Sequence, residues 1–294
     1  MKRKNSVLKV AGVLLLAALA VYFVGMAVSA LSGNAKELVY EKRDYTINAA
    51  GIDEIRIRAR NMPVTVTPSN GNEIAVHYYT CEKDPYEVSL NGGVLTLKYK
   101  NDNLFNISNW FTGAYNVFSN SNPKVEVFVP AAYAGKLQLD TSNAAVNVSG
   151  LTSAGEVRIN TSNSPIEADN VSAALVYAHT SNGAVTLDKV IVSGAVDMKS
   201  SNGTLTARQV AANDKLRMET SNGRIVIDQV ASAAIELKSS NGAISGSVEG
   251  KRSDYTISSD TSNGDDSLGD GGKGQSRLTV NTSNGNINIS FLGE

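Results

Sequence analysis

Cysteine is almost missing from this sequence: 294 residues contain one, Cys81. A single thiol excludes an internal disulfide. Its position also excludes a lipoprotein anchor, which would need a Cys at the end of the first apolar segment; packed in a strand, Cys81 would act as a small hydrophobe. Histidine is nearly as scarce. His77 and His179 lie far apart in the chain, so neither a His/Cys zinc set nor a catalytic His constellation can be assembled. The net charge of −1 lacks the basic excess expected of a nucleic-acid binder. Helix periodicity is absent from the second half of the chain, which excludes a bundle there.

What the second half does contain is one tetrapeptide, Thr/Ser-Ser-Asn followed by Gly, Ala or Ser, in eight copies centred on Asn143, Asn163, Asn182, Asn202, Asn222, Asn241, Asn263 and Asn284. The spacing of 19 to 22 residues marks a repeat array rather than one globular core. Counting from each Asn, apolar residues fall six and four before it and three, five and eight after it, as Val176, Ala178, Val185, Leu187 and Val190 do around Asn182. A spacing of two on both sides is strand periodicity, so each repeat reads as two short strands joined at a corner. Asn-Gly also suits the tight turn of a hairpin, which leaves a meander as one architecture. The constant period favours the other, an all-β, single-domain β-solenoid with coils of about 20 residues, in which like residues stack at the strand spacing of about 4.8 Å. Asn side chains carry both a donor and an acceptor, so they can then bond amide to amide as a ladder, and the Ser before each Asn can add a hydroxyl ladder. Gly after six of the eight Asn residues suggests a corner with positive φ. No His or acid recurs beside the hydroxyls to activate them, so the column reads as structural.

The first half is less regular. Residues 1–9 form a basic tail, and 10–32 are free of charge and long enough to span a bilayer as one helix. Basic residues ahead of the span place the N-terminus in the cytoplasm and the remainder outside, with a cleaved signal peptide as the rival reading. A linker covers 33–44 and an irregular β region 45–130. Within that region Ile55, Ile57, Val64 and Val66 keep the repeat's register around Asn61, as a degenerate first coil. Asn91-Gly92-Gly93 marks a hairpin. Residues 101–123 have no period but hold Phe105, Trp110, Phe111, Tyr115 and Phe118, candidate contacts to a sugar face or a lipid headgroup, or else a cap over the end of the solenoid.

The regular repeats occupy 131–294, interrupted by the Gly/Asp-rich insertion 264–275, which reads as a projecting loop. The final strand carries no capping sequence, so an open coil end is available for pairing with another copy. Asp169, Asp188, Arg208 and Asp228 recur six residues after their Asn. They are the only candidates for a polysaccharide lyase or hydrolase site, and form no matched acid and base pair. No catalytic residue, metal site or cofactor is expected.

With the anchor, the degenerate coil and the Thr-Ser-Asn-Gly repeats in view, the chain resembles the bacterial family of membrane-anchored β-solenoid domains called putative adhesins, over roughly Tyr45 to Ser290. The resemblance implies a single-coil β-helix on the cell surface, in some members associated with envelope stress. The expected role is non-enzymatic: adhesion to cell-wall glycan or interaction with another envelope protein. The alternative is a regulatory partner of a membrane protein.

Overall fold

The computed structural model describes residues 39–100 and 122–294, so the basic tail, the apolar run 10–32 and all five aromatic candidates lie outside the described residues. Among the described residues no helix is long and apolar enough to cross a membrane. Among the described residues the elements are twenty strands and a 3-10 turn at Arg252–Asp254.

One repeat shows how the coil is made. After the corner Thr180–Gly183 the chain runs along one side in β12 (Val185–Val192), turns within that strand at Lys189, bends again at Ser193-Gly194, and returns along a further side in β13 (Ala195–Lys199). Each side pairs in parallel register with the same side of the coils before and after. Val185 lies between Ile166 of β11 (Ile166–His179) and Leu205 of β14 (Leu205–Arg208), and Leu205 lies in turn beside Ile225 of β16 (Ile225–Lys238). The apolar positions of the sequence pattern are the interior: Val176, Ala178, Val185, Leu187 and Val190 are each 0–1% exposed, as are Leu216, Met218, Ile225, Ile227 and Val230. Each such aliphatic side chain contributes about 1.5–3 kcal/mol by leaving water.

The glycines of the first corner are not there for positive φ. That conformation belongs to the second corner, seven residues after the Asn, where Asn170, Lys189, Gln209 and Gln229 take φ of 50–53° and Gly150 takes 71°. At the first corner the constraint is contact between coils. A Cβ on Gly203 would stand 1.7 Å from the Gly183 carbonyl oxygen, and one on Gly223 1.9 Å from that of Gly203.

Both ends of the stack depart from chain order. β2 (Glu54–Arg58) and β3 (Val64–Ser69) form the expected coil around Asn61 and pair with β8 (Lys136–Asp140) and β9 (Val146–Ser149). Its other side is covered in parallel by β6 (Val94–Tyr99) and β7 (Val125–Pro130), so the chain lays down the second coil of the stack first. Antiparallel strands then cap this end. β5 (Tyr86–Asn91) pairs with β6 through the expected hairpin, whose Gly92 and Gly93 have φ of 55° and 77°. β4 (Glu73–Thr80) lies between β7 and β1 (Glu41–Asn48), and β1 therefore begins inside the stretch read as a linker.

At the other end, β19 (Ser276–Thr282) lies between β16 and β18 (Tyr255–Thr261), and β20 (Ile287–Phe291) pairs with β17 (Ile244–Val248). The last coil in sequence is thus the second-last in space: β20 pairs along its length with β17, and on its other side Ile287 is bridged to Asp266. The terminal coil belongs to Asn263. Insertion 264–275 does not project: it keeps the repeat's register as far as Leu268, 4% exposed at the position equivalent to Leu187, and then folds back so that Gly271 bridges Ile257.

These contacts set two substitutions against each other. Gly203→Ala is expected to lower the free energy of unfolding by about 3 kcal/mol through over-packing. Lys189→Gly should change it by less than about 1 kcal/mol, because relief of left-handed strain offsets the entropy of a glycine. Urea denaturation of the two variants checks both values.

Candidate functional site

The corner is the most repeated piece of chemistry in the molecule. Asn Nδ2 donates to Asn Oδ1 of the neighbouring coil along an unbroken series, 143 to 61, 163 to 143, 182 to 163, 202 to 182, 222 to 202 and 241 to 222, at 2.6–2.8 Å. The series then runs 284 to 241 and 263 to 284, both at 2.7 Å, which is the exchange of coil order seen from the side chains. The eight repeat asparagines face solvent, not the core. So do the serines before them, apart from the half-buried Ser142, and the hydroxyl ladder does not run through them.

It runs one residue earlier, through the buried Thr141, Thr161, Thr180, Ser200, Thr220, Ser239 and Thr282. Ser200 Oγ donates to the Gly183 carbonyl at 3.0 Å and accepts the Gly203 N–H at 2.8 Å. Thr220, Ser239, Thr261 and Thr282 repeat both bonds with their own glycines. Where the corner carries Ala144 instead of Gly, Thr141 Oγ1 donates to the carbonyl of Ala144 in its own coil. Each corner therefore turns one set of hydrogen bonds inward and presents Ser and Asn to solvent at the strand spacing of about 4.8 Å.

The aromatic candidates cannot be placed, but the described ends of their segment can. β6 and β7 pair with β2 and β3, so residues 100–124 join two sides of the outermost coil at the corner that Asn61 occupies in the next. Beneath that corner the Arg60 guanidinium stands 3.8 Å over the Tyr99 ring, Tyr99 meets Tyr86 edge to face at 5.7 Å, and Tyr86 Oη accepts the Arg60 N–H at 3.1 Å. Tyr40 Oη donates to Asp84 Oδ2 at 2.9 Å. Burial raises the Asp84 carboxyl above its ordinary value and outweighs the Tyr40 hydrogen bond and the Arg60 charge, both of which lower it.

On the outward side of the returning strands, charges of opposite sign adjoin: Lys136 with Glu156 at 3.2 Å, Arg158 with Glu156 at 2.6 Å, and Lys215 and Arg217 with Glu236. Arg158 also lies 4.3 Å over the Tyr177 ring, and His179 Nε2 meets Asp197 Oδ2 at 3.2 Å, off the line of a hydrogen bond. Burial raises the Glu156 carboxyl, but the hydrogen bonds and charges of Arg158 and Lys136 hold it below its usual range. Asp169, Asp188, Arg208 and Asp228 do form one column, each paired in register with the next. A straight column spreads charge along the stack instead of converging it on one atom. Among the described residues no group of three or more His, Cys, Asp or Glu is placed to hold a metal ion.

Two open grooves on the remaining side had no signal in the sequence. One, of about 760 Å³, is lined by Asn48, Ile52, Asp53, Tyr133, Lys136 and Glu156; the other, of about 460 Å³, by Thr152, Ser172, Ile191 and Ser193. They are formed by small side chains at the bends, where the repeat pattern is loosest.

Comparison with known proteins gives the following. The model of the family described as Toastrack DUF4097 matches residues 52–291. No curated protein matches the chain. A "putative adhesin" of Bacteroides fragilis is 11% identical, with 86% of this chain and 97% of that chain covered and a TM-score of 0.47. A "putative adhesin" of Parabacteroides merdae is 11% identical, with 85% and 96% covered and a TM-score of 0.42. A "putative cell adhesion protein" of Clostridium sporogenes is 10% identical, with 86% and 100% covered and a TM-score of 0.29.

The two ladders should respond differently to deletion. Thr220→Val leaves the Gly223 N–H and the Gly203 carbonyl unpaired in a buried place and is expected to cost about 2–3 kcal/mol, whereas Asn222→Ala, whose neighbours can turn to water, should cost about 1 kcal/mol or less. Thermal or urea unfolding of the pair reads this difference. For Asp84, the raised carboxyl means that the folded chain binds its proton more tightly than the unfolded chain. Its contribution is therefore favourable below the ordinary value of 3.8 and is lost as pH rises through the raised folded value. Asp84→Asn keeps an acceptor for Tyr40 and should stabilise the protein at pH 7, with the gain shrinking toward pH 4; denaturant midpoints across that range test it.

Proposed function

The chain belongs to the Toastrack DUF4097 family, and from its corner chemistry we propose that it serves as a non-enzymatic, adhesin-like interaction surface of a bacterial cell envelope. In this reading residues 10–32 anchor it in the membrane as a single pass with the N-terminus in the cytoplasm, and the solenoid lies outside. The contact surface is the corner edge. Solvent-facing Ser and Asn repeat along it, and in this reading Phe105, Trp110, Phe111, Tyr115 and Phe118 of segment 101–123 supply the aromatic contacts.

The observation that carries this reading is the row of solvent-facing Ser and Asn repeated from coil to coil along the corner edge. A row of amides and hydroxyls suits the polar edges of a sugar chain, and aromatic side chains suit its apolar faces. Cell-wall glycan is accordingly the favoured ligand class. A link to envelope stress belongs to the same reading, as a consequence of placing such a surface at the membrane.

The test is a pull-down with a soluble form, Lys36 to Glu294, against purified cell-wall polymer and, separately, against detergent-solubilised membrane. Binding to wall polymer that drops about tenfold or more in a Trp110→Ala, Phe111→Ala double variant is the expected result, the size expected when aromatic anchors are removed. Binding only to a membrane protein, with no wall binding, would replace the adhesin reading with that of a regulatory partner.

A further inference from the structure

The two open grooves are one trough, since Ala134 and Gly155 line both. Together they take in the bends of six successive coils, from residues 49–53 ahead of β2 to residue 213. At the strand spacing the five steps between those bends span about 24 Å, which is room for an oligomer. Small residues line the trough at every bend, and Gly155 has to be small: a Cβ there would stand 2.6 Å from the Ala134 carbonyl oxygen.

The chemistry is concentrated at the larger end, where Asn48 and Asn72 of the antiparallel cap meet the stack. Three charged side chains line this end. Lys136 and Glu156 pair with each other at 3.2 Å, and the adjoining Glu54 pairs with Arg56 at 2.8 Å. Among the described residues the Asp53 carboxylate has neither a cation nor a hydrogen-bond donor. Beside it Tyr133 is only 6% exposed, yet its Oη has no hydrogen-bond partner. The hydroxyl ends against Gly135, where a Cβ would lie 2.2 Å from Oη and 2.8 Å from the Asp53 carbonyl oxygen. Burial raises this phenol above its usual value, and the charges of Asp53 and Glu54 add to the effect, so it keeps a proton to donate. An orphaned hydroxyl and an unneutralised carboxylate thus share one end of the trough, and each lacks what a ligand can supply.

We propose that this trough binds an oligomer of an amino sugar, with an ammonium group on Asp53 and a ring or hydroxyl oxygen accepting from Tyr133 Oη. The charge selects the ligand. With Lys136 and Glu156 satisfied by each other, the lining is left with one negative charge, which favours a cationic chain over a neutral or acidic one. The lining selects a sugar over a peptide. A peptide is read through pockets for its alternate side chains, whereas small residues at each bend make the trough even along its length and suit a repeating unit. Thr152, Ser172 and Ser193 offer hydroxyls to that unit at successive coils. The site lies at the bends ahead of the returning strands, so it stands independently of the Asn corner and of the aromatic segment.

The test is calorimetric titration of the full-length protein, held in a detergent without a sugar headgroup, with a glucosamine tetramer, its fully N-acetylated form and a lysine-containing peptide. The glucosamine tetramer is expected to bind. N-acetylation, or Asp53→Asn, should weaken it about tenfold, the size of one charge-assisted hydrogen bond. Tyr133→Phe should weaken it about threefold, as one neutral hydrogen bond does, without lowering the unfolding midpoint, because the hydroxyl has no partner to lose. The Trp110→Ala, Phe111→Ala variant should bind the tetramer as the unaltered protein does, which separates this site from the corner reading. No binding of the tetramer, equal binding of the acetylated form, or binding unchanged in Asp53→Asn would overturn the proposal. A peptide bound as tightly as the tetramer would also overturn it, and would assign the trough to a lysine side chain.

Discussion

Everything in this fold follows from the distance at which one corner sits on the next. The buried Thr or Ser hydroxyl reaches the carbonyl of the neighbouring corner only because no Cβ separates the two backbones, and that carbonyl would lie about 2 Å from any side chain placed there. A close corner holds its flanking strands at the ladder spacing. The flanking strands then carry Val, Leu and Ile into columns in which each aliphatic touches its own kind above and below. Hydroxyl, glycine and apolar column thus depend on one another, and no disulfide is needed to hold them, since every coil is tied to its neighbours by backbone and side-chain bonds together.

The same dependence explains why the sequence reveals the coil so clearly. A residue that must meet its own image in the next coil has to recur, so Asn, Thr/Ser and the apolar positions stand out by period alone, and the Asn61 coil is found by register even though its corner has changed. Inside and outside were harder to tell. Asn and Ser both read as ladder residues, yet the buried bonds go through the Thr or Ser two places before Asn, and period cannot distinguish a column that faces the core from one that faces water. Glycine raised the same ambiguity: its presence at a corner fits positive φ and close approach equally well, and only the position of the Gly183 oxygen decides. Positive φ is carried instead by Asn170, Lys189, Gln209 and Gln229, residues whose side chains give no hint of it.

Coil order was not legible at all, and for a related reason. Repeats that stack on one another through identical contacts are interchangeable as neighbours, so nothing in Thr261-Ser-Asn-Gly or Thr282-Ser-Asn-Gly says which lies against Ser239-Ser-Asn-Gly. Only the insertion between them hinted at a detour. The grooves beside Tyr133 and Ile191 were invisible because they are made by what the repeat leaves unspecified, the small residues at its bends.

These two properties, strict corners and interchangeable neighbours, decide where the fold can change. An interior corner is bonded on both sides, so an insertion there breaks two ladders at once. A corner on the outermost coil has one neighbour, and replacing it breaks one. The two long departures from the repeat, residues 100–124 and 264–275, both belong to outermost coils. One joins β6 to β7, and the other begins just past its corner and folds back as a cap with Leu268 buried. Ends are thus the only cheap places for new sequence, but ends are also where a stack exposes unpaired strands. Laying coils down out of order meets both demands. The chain visits the outermost position, builds a cap or a loop there, and then returns to add a coil deeper in the stack, so that β19 lies between β16 and β18 and the corner Thr282–Gly285 between two other corners.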